Sequence, residues 1–320
     1  MDDNNSQEFV AGQEITMKVR LTREQLSMLN EWSAMVPTLY LLDICVVGAT
    51  KLSAGSLDKQ PRKASLIAAL RDLDRPNNCV SYLCALMEKV SDSRGLLTFD
   101  ELKTQILADV SYLRGFFKNA RIVEGDDFLI EFLEELMGRP IENNRAEYLS
   151  FLKILNNDFK LQNPIPPTQR LCKAKEIIQE ASALSISVQH PIVTISLACL
   201  YGNAAAKKLM KFKADPDKFD SENALADVLL ISRFAKIKLE IEHYGRNGAP
   251  YQRVHFITDD NGLSELVKNF KARSVKHKDK LDGRETLLTM TVELEKLLIE
   301  ASPEDYEEIT NLLSQEEVHN

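Results

Sequence analysis

The chain lacks the short motifs that announce common chemistry. Its five cysteines form no CxxC pair, and its five histidines show neither HExxH nor HxxxH spacing, which removes the familiar zinc arrangements. There is no GxxxxGK[ST] or GxGxxG loop, so neither a P-loop nor a Rossmann dinucleotide site is expected. No GxSxG elbow is present to carry a serine nucleophile. Asp43-Ile44-Cys45 lacks the second aspartate of a DxD phosphoaspartate loop, and Asp259-Asp260 comes too late for a receiver domain. Apolar runs fall far short of a bilayer span, and the acidic start MDDNNSQEFV is expected to be neither a signal peptide nor a presequence. Cys45 and Cys199 lie in apolar runs and read as reduced, core-filling thiols, which implies a cytoplasmic setting. A net charge of −8 over 320 residues argues against sequence-independent coating of nucleic acid. It does not exclude a nuclease, in which a cluster of carboxylates lowers the net charge while a local basic patch grips the substrate.

Against these absences one residue stands out. Asp43 lies inside Pro37–Val47, PTLYLLDICVV, a run typical of a buried strand, with no Lys or Arg within seven residues on either side. An ionised carboxylate is costly to bury without a cation or several donors. Something distant in sequence must balance it, and a divalent metal is one candidate.

Residues 1–14 are expected to be disordered. An amphipathic segment follows, with Thr22 as its cap, and then the strand over 37–47. From Ala64 to about Ala183 the spacing of apolar residues predicts a long helical block, Val80-Leu83-Cys84-Met87-Val90 being one of its stripes. Thr98-Phe99-Asp100-Glu101 is a capping box, and Asn163-Pro164-Ile165-Pro166-Pro167 is the clearest linker. Alternation returns at Ile186-Ser187-Val188, and His190 before Pro191 reads as structural. A helix is expected from about Ser221 through NALADVLLI, a strand over 253–258 ending in Asp259-Asp260, and a turn at Asn261-Gly262. Two helices are predicted in the last 40 residues, with Ser302-Pro303 opening one. Their acidic residues read as a solvated face.

Two strand candidates, far apart in sequence, thus carry aspartates in or at the end of their apolar runs. Ligands of open parallel sheets bind beyond the strands' carboxyl ends. Asp227 lies on a largely apolar helix with Asn223 one turn before it. If these carboxylates meet, they form an all-oxygen site suited to Mg²⁺ or Mn²⁺. Lys207, Lys208, Lys211 and Lys213 form a basic cluster fit for phosphate contact.

The order of TLYLLDICVV, NALADVLLI and FITDDNGL, the last two about thirty residues apart, resembles the PIN-domain nucleases. The resemblance covers residues 37–50 and 220–270. It implies an α/β fold, a PIN-like parallel sheet flanked by helices, over residues 15–275. A large helical insertion would occupy about 90–185, and a C-terminal helical extension 276–320. By the same resemblance Asp43 and Asp260 would be direct metal ligands, and Asp227 would bind the ion directly or through water. A fourth acid would follow the first strand. Glu88 is the choice by position, with Asp109 and Glu134 as alternatives. Asn223, Lys207, Lys208 and Lys211 would face substrate, while Thr258 fixes the turn before Asp260. The activity implied is metal-dependent endonucleolysis, of RNA (structured or single-stranded, such as tRNA) before DNA. A toxin or phage-defence role enters by analogy, and a protein regulator or homo-oligomer is compatible with it; no membrane partner is expected. The rival is a non-catalytic helical adaptor, or a degenerate PIN-like scaffold, that binds a protein partner.

Overall fold

The computed structural model describes residues 18–91, 97–138, 142, 144–280 and 283–314. The N-terminal stretch expected to be disordered and the last acidic residues, Glu316 and Glu317, lie outside them. The chain divides after Val36. The first unit holds helix α1 (Arg23–Ala34), opened by a complete capping box between Thr22 and Gln25.

The second unit begins with strand β1 (Thr38–Leu42), whose side chains are almost all buried on both faces, as a central parallel strand requires. The strand stops sooner than its apolar run. Asp43 ends it and is the N-cap of helix α2 (Ile44–Thr50), so Ile44-Cys45-Val46-Val47 is helical and not extended. Periodicity could not separate these two states, because both elements are buried.

Helices α3 (Ala54–Leu57) and α4 (Pro61–Asp72) lead to strand β2 (Asn78–Ser81). Val80, expected in a helical stripe, sits in this strand, and helix α5 (Leu83–Ser91) starts after it. Helix α6 (Phe99–Phe116) opens on the predicted Thr98 capping box. Strand β3 (Arg121–Ile122) follows and joins the sheet through Cys79 and Val80. The block read as wholly helical therefore contributes two strands to the core. Helices α7 (Asp126–Gly138), α8 (Arg145–Asn157), α9 (Pro167–Ala183), α10 (Pro191–Leu200) and α11 (Ala204–Met210) come next. Ile186-Ser187-Val188 forms no strand. His190 is structural as expected: it caps α10 by accepting from the Ile192 amide at 3.1 Å and stacks on Tyr148.

Helix α12 (Ser221–Arg246) is one continuous helix of 26 residues, despite its β-branched later half. Strand β4 (Arg253–Ile257) then pairs with β1, in parallel, giving the order β3-β2-β1-β4. The free edge of β4 is covered by side chains of α12. Glu242 accepts from the Val254 amide and Lys238 donates to the Val254 carbonyl, both at 3.1 Å, and the two side chains pair with each other. An edge so occupied is a poor template for a further strand.

Asn261-Gly262 is not an isolated turn but the first turn of helix α13 (Asn261–Val267), capped by Asp260. The C-terminal part also departs from the helical expectation. Strands β5 (Phe270–Lys280) and β6 (Gly283–Val292) form a long antiparallel hairpin before the two helices, α14 (Leu294–Leu297) and α15 (Pro303–Ser314). The second unit is thus α/β, a four-stranded parallel sheet wrapped by helices. Among the described residues no helix is long and apolar enough to cross a membrane.

Candidate functional site

The sheet winds from β1 outward through β2 to β3, and then returns to the opposite side of β1 for β4. The reversal lies between β1 and β4, and ligands of open parallel sheets bind beyond the strands' carboxyl ends at such a point. Asp43 follows the last residue of β1, and Thr258, Asp259 and Asp260 follow the last of β4.

Asp43 is 5% exposed. Aspartate at an N-cap ordinarily accepts from the amides of the first turn, yet here its side chain makes no such bond. Instead Thr258, just beyond β4, and Cys45 donate to its Oδ2, the thiol at 3.0 Å. Burial, and then the Asp43 charge, push the Cys45 thiol up to about 12, which keeps it a donor. The Thr258 hydroxyl also accepts from the Asp260 amide at 2.9 Å. Thr258 therefore ties the ends of the two strands together, beyond the turn-fixing role expected of it.

Glu88 comes from α5, which starts two residues beyond β2. Burial pushes its carboxyl up to about 9, helped by the charge of Asp43, a hydrogen bond shared with Asp43, and the charge of Asp227; the Ile44 amide acts in the opposite sense. One of its oxygens, Oε2, is buried without a hydrogen-bond partner. Two ionised carboxylates have no proton to share, so this pair needs either a proton or a cation.

Asp227 projects from the second turn of α12. Asn223, one turn earlier, donates to its Oδ2 at 3.5 Å, and Lys211 donates to the same oxygen at 2.7 Å. Burial raises Asp227 to about 6; Lys211 opposes the rise, while Asp260 and Asp43 add to it. Asp260 divides its oxygens. Oδ1 caps α13 through the Leu263 amide at 3.1 Å, and Oδ2 lies 3.7 Å from the Lys211 ammonium. The Asp227 and Asp260 oxygens are therefore no farther apart than the two Lys211 distances laid end to end. Gly262 allows this approach: a Cβ there would lie 2.9 Å from the Ala205 carbonyl oxygen of α11.

Four carboxylates from four separate segments, Asp43, Glu88, Asp227 and Asp260, thus lie close enough for charge to act among them. Among the described residues, no group of three or more His, Cys, Asp or Glu side chains is arranged so that it could hold a metal ion as it stands. Lys211 stands between two of the four. The donor set nevertheless suits a hard divalent cation, being all oxygen, with more negative charge than one ammonium can neutralise and an orphaned oxygen on Glu88.

The other sequence candidates lie elsewhere. Asp109 is buried in a separate knot, accepting from Lys51, from Lys89 at 2.9 Å and from the Tyr82 hydroxyl at 2.7 Å. Glu134 is exposed on α7. Asp259 is held by Arg62 at 2.9 Å and by Lys63. Lys208 is exposed and Lys207 half-buried on α11, and the basic cluster is split because Lys211 turns inward to the acids. Two features escaped the sequence reading. Lys211, read only as a phosphate contact, is the cluster's internal cation. Glu124, buried beside β2, accepts from Ser81 and from the Tyr82 amide at 3.1 Å, a structural role that no motif marks.

No family model matches the chain, and neither a curated protein nor a solved structure matches it.

Proposed function

We propose that the chain is a metal-dependent endonuclease of PIN-like type that cleaves RNA phosphodiester bonds. The observation that carries this reading is the gathering of Asp43, Glu88, Asp227 and Asp260 at the strand-order reversal, with a charge deficit that a divalent cation would fill. Asp43, Asp227 and Asp260 would hold Mg²⁺ or Mn²⁺, and Glu88 would complete the set once it gives up its proton. Such an ion supplies an activated water and neutralises charge developing on the phosphate and the leaving oxygen. The protein's own part is placement. Thr258 and Cys45 hold the Asp43 carboxylate in one orientation. The α13 cap fixes one oxygen of Asp260 and leaves the other toward the site. Asn223 bonds Asp227 and has a second amide hydrogen to offer a phosphate oxygen. Lys207 and Lys208, on the helix that ends at Lys211, are suited to contact the nucleic-acid backbone.

The test is cleavage of a mixed RNA pool by the purified chain, with Mn²⁺ and with chelator, for wild type and Asp227→Asn. Cleavage that needs Mn²⁺ and falls at least about a hundredfold in the variant, with folding intact, is the expected result; carboxylates that place a catalytic ion act through transition-state charge. Equal background cleavage by both proteins would remove the nuclease reading and leave the scaffold.

A further inference from the structure

We propose that Lys211 is an internal counter-ion that competes with the divalent cation, so that metal enters the cluster by displacing its ammonium group. This rests on the metal-site reading above and adds to it a mode of regulation. The ammonium lies 2.7 Å from Asp227 Oδ2 and 3.7 Å from Asp260 Oδ2. Metal–oxygen bonds to carboxylates are about 2.0–2.6 Å long, so an ion bound to both of these oxygens would occupy the space that Nζ now fills. Two cations cannot share it.

The backbone at Lys211 suits such a device. It is the C-cap of α11 and adopts the left-handed conformation (φ 55°, ψ 28°), with its amide bonded to the Lys207 carbonyl at 3.1 Å. Glycine or asparagine is the usual residue there. A helix that merely needed to end would be served as well by glycine, whereas lysine at this corner carries a long side chain across to α12 and α13. The side chain is 39% exposed, so it has solvent to swing into once displaced. The acids that face it are Asp227 and Asp260, with Asp43 near enough for its charge to act on it. Asp259 is not a competitor, because Arg62 and Lys63 already hold it.

Calorimetric titration of the full chain with Mn²⁺ tests this. Lys211→Gly, which fits the positive φ, and Lys211→Met should each bind Mn²⁺ about tenfold more tightly than wild type. Lys211→Arg, which keeps the charge, should stay near the wild-type affinity. Lys218→Met, which removes an exposed charge paired with Asp215, controls for general electrostatics and should change little. Binding by the glycine and methionine variants where wild type binds too weakly to measure would also support the proposal. Unchanged or weaker binding in those two variants, with wild type binding Mn²⁺, would overturn the counter-ion role and leave the metal site standing. No Mn²⁺ binding in any of the proteins would overturn both.

Discussion

Glu88→Gln should stabilise the metal-free protein, although it removes a residue proposed to act in the site. Burial, with the Asp43 charge beside it, pushes the Glu88 carboxyl up to about 9. At pH 7 the folded chain therefore keeps a proton that the unfolded chain, with an ordinary glutamate near 4.5, has released. A group whose folded pKa is raised contributes its full stability below the unfolded value and loses it as pH rises through the folded one. Each pH unit in that window costs about 1.4 kcal/mol. Some 2.5 units separate pH 7 from the unfolded value, which gives about 3 kcal/mol. Glutamine does not titrate and its amide can donate to Asp43, so about 1–3 kcal/mol should be recovered, or about 2–6 °C in Tm for a chain of this size. The assay is thermal unfolding in chelator at pH 5.5 and pH 8. The variant's advantage should widen toward pH 8 and shrink when Mn²⁺ is added, because only in wild type does the ion gain the Glu88 carboxylate as a further ligand. A variant less stable than wild type at pH 8 in chelator, or an advantage that ignores pH, would refute the argument.

Two further predictions concern regions outside the cluster. Burial lowers His190 to about 4, so its neutral form is the folded one; its stability is intact above the unfolded value near 6.5 and is lost as pH falls toward 4. His190→Asn keeps a capping acceptor for the Ile192 amide, and its unfolding free energy from urea titrations should fall less between pH 7 and pH 4.5 than in wild type, by about 2–3 kcal/mol. Asp109→Ala strips Lys51, Lys89 and Tyr82 of their shared acceptor and should cost about 3 kcal/mol. It should leave Mn²⁺ affinity unchanged, and a loss of metal binding in a folded Asp109→Ala protein would mean that the second acidic knot belongs to the site.

Which acids come together was more legible in the sequence than the order of strands and helices. Asp43 was conspicuous because a charge inside PTLYLLDICVV must be answered from elsewhere, and the same logic drew in Asp227 and Asp260. Glu88 followed from its distance after the first strand. What periodicity hid were elements whose burial is two-sided or whose length is small. The apolar run containing Asp43 is half strand and half helix, and both halves are buried, so nothing in its pattern marks the change. Strand β3 has two residues, too few for any alternation to register. The β5 strand, FKARSVKHKDK, is so rich in lysine that its pairing with β6 outweighs a weak local preference for strand. Lys211 was legible as a charge but not as a partner, because its ion pairs span 16 and 49 positions and depend on the close contact at Gly262.

The central claim is that Asp43, Asp227 and Asp260 hold one divalent cation between them. A crystal structure of the full chain grown with Mn²⁺, with anomalous scattering recorded at the manganese edge, tests it most directly. A single strong peak is expected within about 2.0–2.6 Å of oxygens from these three aspartates, with the Lys211 ammonium moved away from Asp227. A manganese peak at Asp109 or Glu124 instead, or no peak with Lys211 still bonded to Asp227, would contradict it.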